Sequence, residues 1–202
     1  RMLFTMVISL YTSRVILQVL GADDFGIYNV VGGVVVLFSF LTNAMTSSTQ
    51  RFLNYNFGLK NESKVSHIFN VSILTHFTIF LLVLLLSETV GLWFVMTQLN
   101  IPVGRETATM WVYQMSVVTT LIGIMVIPYR ASIIAAERMS IFAYVSILEV
   151  ALKLVVVLVL SYMSFDNLVM YSILLTLVAL LNFFIYQIEC RRKLSFTKYH
   201  FV

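Results

Sequence analysis

Charge is what this 202-residue chain has least of. Only 11% of its residues are charged and 60% are hydrophobic, whereas a soluble domain carries about 25% charged and roughly 45–50% apolar residues. Nine acids and thirteen bases cannot supply the polar shell that a water-soluble fold of this length needs. An ordinary soluble domain is thereby excluded. Cysteine is nearly absent too. Cys190, the one cysteine, can form no intramolecular disulfide, and packing or no role is expected of it, with acylation the minor alternative. His67, His76 and His200 lack metal-ligand spacing. A Gly-rich phosphate loop, a GxSxG elbow, paired catalytic carboxylates and a nucleophile beside a base are all missing. We therefore expect no enzyme and no cofactor; the one enzymatic alternative is an intramembrane hydrolase pairing His76 with a serine from another helix.

What the chain has is long charge-free runs. Phe25 to Gln50, Val65 to Ser87, Thr107 to Tyr129 and Asn167 to Ile188 contain no Asp, Glu, Lys or Arg. Each is long enough to cross a hydrocarbon core about 30 Å thick, which takes about 20 residues of helix. Two more apolar stretches are interrupted by charge, Met2 to Leu20 by Arg14 and Ile141 to Met163 by Glu149 and Lys153. The expectation is an all-α, polytopic transmembrane bundle of six spans in one unit over 1–202, with helices near 2–20, 28–50, 65–94, 108–130, 141–163 and 167–189. The third could continue past Trp93 to Met96. Short alternating segments, the mark of a membrane β-barrel, are not seen, and the short loops predict antiparallel neighbours.

Lys and Arg in short loops favour the cytoplasmic side. With the N-terminus inside, the inner ends hold Arg1, Arg51, Lys60, Lys64, Arg130, Arg138, Arg191, Arg192, Lys193 and Lys198, against Arg105 alone outside. Both termini are thus expected in the cytoplasm. The outer loops carry Asp23, Asp24, Glu106 and Asp166, and Trp93 and Trp111 flank one of them, as an interfacial aromatic belt would. The net charge of +4 is a topology signal and does not point to nucleic acid. No small-residue cleavage site follows the first apolar core, so it reads as a retained span. The chain begins at Arg1, and we expect a piece of a longer protein. Two sequons, at Asn61 and Asn70, fall in a predicted cytoplasmic loop and inside a span, where neither would be used.

Ionised groups inside a span are costly, about 2.5–3.5 kcal/mol each on insertion scales, so the buried charges carry the functional question. Arg14 lies about 9 Å from the outer end of its helix, and Tyr11, Arg14 and Gln18 share one face. That face is expected to point into the bundle or a wet cavity; the bland alternatives are pairing with an acid elsewhere in the bundle or snorkelling outward. Glu149 and Lys153 sit i, i+4 with the acid first, the favourable order for an intrahelical pair. They lie about 12 and 18 Å into their helix. Glu149 could also bridge Lys153 and Arg14. Glu88 reads as interfacial. Ser39, Asn43, Thr46 or Ser47, and Gln50 form a polar stripe ending in Arg51, either helix-to-helix glue or the lining of a hydrated path. Gly32 and Gly33 permit close helix contact, Pro128 implies a kink or break, and His76 reads as a neutral, hydrogen-bonded imidazole.

The stretch Arg14-Val-Ile-Leu-Gln-Val-Leu20-Gly21-Ala-Asp-Asp-Phe25-Gly26-Ile-Tyr28 ends a first helix in LGxxxFGxY. It resembles the start of polysaccharide transporters in the multidrug, oligosaccharidyl-lipid and polysaccharide exporter superfamily, whose fold is MATE-like. A second patch, Pro128-Tyr129-Arg130 through Ala135-Ala136-Glu137-Arg138-Met139 to Tyr144 and Glu149, is similar to the fourth and fifth helices of that branch. The resemblance implies an N-terminal lobe of six helices, half of a twelve- to fourteen-span protein in the bacterial inner membrane. It also implies flipping of polyprenyl-diphosphate-linked oligosaccharide for cell-surface polysaccharide or O-antigen synthesis, with a second lobe or a homodimer partner and membrane lipids as neighbours. On that reading Arg14 first, then Arg51 and Lys153, are cations for the diphosphate. Tyr11, Gln18, Asn43, Ser47, Gln50 and Glu149 are polar lining. The rivals are a cation-coupled multidrug exporter, which predicts unpaired carboxylates, and a non-transporting membrane scaffold, in which the buried charge is structural.

Overall fold

The computed structural model describes residues 2–37, 39–59, 62–162 and 165–194, with side chains over 6–37, 45–59, 63–162 and 165–194. Among these residues there are helices and no strands. They are α1 (Met2–Val36), α2 (Ser39–Gly58), α3 (Glu62–Leu86), α4 (Leu92–Gln98), α5 (Glu106–Ala135), α6 (Met139–Leu160) and α7 (Asn167–Lys193), with a π-helical turn at Ser87–Gly91 joining α3 to α4. Five segments are long and apolar enough to cross a membrane: Met6–Val36, Ser63–Gln98, Glu106–Ala135, Met139–Leu160 and Asn167–Lys193. The chain is a helical, membrane-inserted bundle.

α5 is the central element. Half of its most apolar stretch is buried, against 22–28% for the other four spans. Tyr113, Val112, Val117 and Ile124 are among its innermost side chains. They join Val31 and Val35 of α1, Val83 of α3, Val157 and Leu160 of α6, and Leu168 and Val178 of α7 in one core. The outer faces of the surrounding helices are apolar as well. On α7, Leu177, Leu181, Phe184 and Ile188 are exposed, a stripe at helical spacing that only lipid could solvate without cost.

Several helix ends differ from the sequence reading, and polar contacts explain them. The helix expected over 28–50 is instead divided between α1 and α2, and helical structure resumes directly after Gly21. Gly21 is the interruption: its φ of 80° and ψ of 170° lie where only glycine is unstrained. Asp24 does not end the helix, because its carboxylate is paired with Arg105. α2 runs on to Gly58 through Arg51, Asn54 and Asn56, with Asn56 Nδ2 donating to the Phe52 carbonyl at 3.0 Å. Those polar residues keep α2 out of the apolar set. α5 and α7 also run past their expected ends, to Ala135 and Lys193, and Pro128 sits inside α5 without ending it. A proline removes one intrahelical donor and crowds the carbonyl a turn back; here the helix continues, and the Ser132 hydroxyl donates to the Pro128 carbonyl at 2.8 Å.

The π-helical turn has a specific cause. The Ser87 carbonyl accepts the Leu92 N–H across the turn and, on its second lone pair, a hydrogen bond from the Tyr113 hydroxyl of α5 at 2.6 Å. Gly91 leaves the space through which that hydroxyl passes; a Cβ at this position would overlap the Tyr113 oxygen. Between α2 and α3, the Thr49 and Ser72 hydroxyls meet at 3.3 Å. His76 Nδ1 donates to the Ser72 carbonyl at 2.7 Å, so in a neutral ring the proton sits on Nδ1 and Nε2 is the acceptor. Cys190 is buried and its thiol lies 3.3 Å from the Tyr129 carbonyl. Asn70 lies half-buried within α3; Asn61 falls outside the described residues.

Candidate functional site

The first half of α1 presents two faces. Thr12, Ile16 and Leu20 are buried against the bundle, and Thr12 Oγ1 returns its proton to the Ile8 carbonyl at 2.7 Å. The opposite face carries Val7, Leu10, Tyr11, Arg14 and Gln18, all exposed. Arg14 does not point into this bundle, and among the described residues no acid pairs with it. An unpaired guanidinium on an apolar helix costs several kcal/mol in hydrocarbon unless water or an anion meets it. The face is therefore solvated or covered by something outside the described bundle.

Glu149 and Lys153 do form the expected pair, Nζ to Oε1 at 2.7 Å, with the side chains 35% and 46% exposed. Glu149 does not reach Arg14. Its second oxygen instead accepts from Asn182 Nδ2 of α7 at 2.9 Å, so a three-residue polar network crosses from α6 to α7. Asn182 was not singled out from the sequence; the available signal was one amide in the middle of an otherwise apolar run. Lys153 spends one of its three protons on Glu149 and stays accessible. Each carboxylate oxygen has a partner, one a cation and the other an amide donor.

Arg51 is exposed on α2 with no ion pair among the described residues, Gln50 is half-buried and Ser47 is exposed. The Asn43 side chain falls outside the described set. Only Thr49, which the polar stripe omitted, makes the cross-helix contact described above. The predicted site residues thus separate into Tyr11, Arg14 and Gln18 on α1, Ser47, Gln50 and Arg51 on α2, and the Glu149–Lys153 pair. Glu149 and Lys153 are in direct contact, with Asn182 as a further partner.

A second charged cluster was read from sequence only as topology. Arg105 Nη1 meets Asp166 Oδ2 at 2.5 Å, and Nη2 pairs with Asp24 Oδ2. The Asp24 side chain is 8% exposed. Asp166 also caps α7, with Oδ1 accepting from the Leu168 N–H at 3.1 Å. One guanidinium thus ties the turn after Gly21 to the loops before α5 and α7. Among the described residues, no group of three His, Cys, Asp or Glu side chains is placed to hold a metal.

Compared with known proteins, the chain matches no family model, no curated protein and no solved structure.

Proposed function

We propose that this chain is the N-terminal lobe of a MATE-like exporter that flips polyprenyl-diphosphate-linked oligosaccharide across the bacterial inner membrane. The observation that carries the reading is Arg14, exposed and unpaired among the described residues on an apolar helix, with Tyr11 and Gln18 beside it. A diphosphate needs fixed cations, and a guanidinium offers forked contacts to its oxygens. Tyr11 and Gln18 supply hydrogen-bonding groups for sugar hydroxyls. Lys153 and Arg51 are further cations for the same head group. The lipid tail stays in the bilayer while the head crosses, and no covalent bond changes. A second six-helix lobe, or a second copy, faces the Arg14 surface and rocks against it.

Six crossings fit this scheme. Gly21 divides α1 into 2–20 and 22–36, and the second part with α2 makes one crossing. In its support, Asp24 is tied to Arg105 and Asp166, whereas Gly58 shares a cavity with Glu137 and Lys193 at the other end. Arg138, Arg191, Arg192 and Lys193 gather at that second end, which we place in the cytoplasm with both termini. Cation-coupled drug export gains less support, because Glu149 is already paired with Lys153 and hydrogen-bonded by Asn182.

The test is glycan export by the complete transporter. Arg14→Ala should lower export at least about tenfold at unchanged membrane abundance, and Arg14→Lys should retain more of it. Undiminished export by well-expressed Arg14→Ala protein would remove this residue, and the reading built on it. Loss of abundance together with export in Arg14→Gln would favour the scaffold.

A further inference from the structure

The turn between α5 and α6 contains a residue type that its backbone does not favour. The Arg138 N–H reaches the Ile133 carbonyl at 3.1 Å and the Glu137 N–H reaches the Ile134 carbonyl at 3.0 Å, the paired closure in which glycine usually occupies the left-handed position. Here that position is Glu137, with φ of 56°. A Cβ is strained there, and the strain is paid at a spot where the side chain reaches neither a hydrogen bond nor an ion pair among the described residues. Such an outlier invites a functional cause.

Glu137 sits on a cavity of about 650 Å³ at the end of the bundle, lined also by Asn54, Phe57, Ile134, Arg138 and Lys193. Arg138 is likewise without a partner among the described residues, and Lys193 contacts Glu189 at 3.0 Å. The lining is thus one carboxylate and two cations above an apolar wall from Phe57 and Ile134. It lies where α2, α5 and α7 leave their apolar stretches, beside Arg191 and Arg192. This is the level at which lipid head groups meet a membrane protein.

We propose that this cavity binds the head group of an aminophospholipid, phosphatidylethanolamine in chemical class. Its phosphate meets Arg138 and Lys193, its ammonium donates to Glu137, and the start of its acyl region lies on Phe57 and Ile134. A choline head has no N–H to donate to Glu137, and a glycerol head has no cation for it. Glycine at 137 would relax the turn and lose the ligand, so stability and binding separate.

The experiment is a titration of the purified chain in detergent with dihexanoyl phosphatidylethanolamine, phosphatidylcholine and phosphatidylglycerol, alongside water-soluble glycerophosphoethanolamine. The ethanolamine lipid should bind saturably and about tenfold more tightly than the other two lipids, as expected for one charge-assisted hydrogen bond. Glu137→Gln should erase that preference, and Arg138→Gln should weaken all three lipids about tenfold. Glu137→Gly should raise the unliganded melting temperature by about 2 °C while erasing the preference. Phosphatidylglycerol binding as tightly as the ethanolamine lipid, or an unchanged preference in Glu137→Gln, would overturn the proposal. Equal affinity for the soluble head group would overturn the assignment to lipid.

Discussion

The hydroxyl of Tyr113 on α5 donates to the carbonyl of Ser87 at 2.6 Å, and it passes through the space that Gly91 leaves open. The tyrosine, the π-helical turn and the glycine form one unit: the turn presents the Ser87 carbonyl, which already accepts the Leu92 N–H, the phenol adds a second bond to it, and the missing side chain admits the phenol. Because the overlapping atom is the hydroxyl oxygen, the unit predicts a compensating pair. Gly91→Ala should destabilise the protein by about 1–3 kcal/mol, and Tyr113→Phe by about 1 kcal/mol, through the lost hydrogen bond. The double variant should be more stable than Gly91→Ala alone, since the nearest remaining ring atom, Cζ, is 3.4 Å from the new methyl. Thermal unfolding in detergent reads all three; additive losses would show that the hydroxyl is not the obstacle.

The two acids held by Arg105 should not be equivalent. The Asp24 side chain is 8% exposed and that of Asp166 is 38% exposed. Breaking the buried contact leaves a desolvated carboxylate, whereas the exposed one is already screened by water. Arg105→Gln should therefore cost about 2 kcal/mol, Asp166→Asn less than about 1 kcal/mol, and Asp24→Asn in the Arg105→Gln background should restore much of the loss. Denaturant titration of the four proteins checks the order. Equal effects of Arg105→Gln and Asp166→Asn would mean that the Asp24 contact contributes nothing.

For Glu149 and Lys153, pairing predicts that each single substitution hurts more than both together. Glu149→Leu leaves an ammonium inside an apolar helix, and Lys153→Leu leaves a carboxylate with only the Asn182 amide; each should cost about 2 kcal/mol. The double leucine variant, with no charge to solvate, should unfold near the wild-type midpoint. If that variant also retains the glycan export proposed above, Lys153 leaves the set of proposed substrate cations and the pair is structural.

The long helices were legible because hydrocarbon imposes one simple demand, and charge-free runs of at least 22 residues meet it. The Glu149–Lys153 pair was legible for the same kind of reason: i, i+4 contact is a local property of a helix. Asn182 to Glu149, Tyr113 to Ser87 and Arg105 to Asp24 were not, since their partners lie 33, 26 and 81 residues apart. The early start of helix directly after Gly21 and the run of α2 to Gly58 followed from a backbone angle and from polar residues, neither of which shows in an apolar run. The direction of Arg14 was illegible for a different reason. α1 is apolar on nearly all sides, so periodicity could not tell the face packed on α5 and α6 from the face turned away.

That direction is the central claim, and it can be measured without knowing the substrate. In a Cys190→Ala background, single cysteines at Tyr11, Gln18, Leu82 and Leu181 would be treated in membranes with a charged, membrane-impermeant thiol reagent. All four positions are exposed on the described bundle. Tyr11→Cys and Gln18→Cys should react at least about tenfold faster than Leu82→Cys and Leu181→Cys, because water reaches the Arg14 face and only lipid covers α3 and α7. Equally slow labelling at all four positions would contradict a hydrated cavity at Arg14 and the transport reading with it.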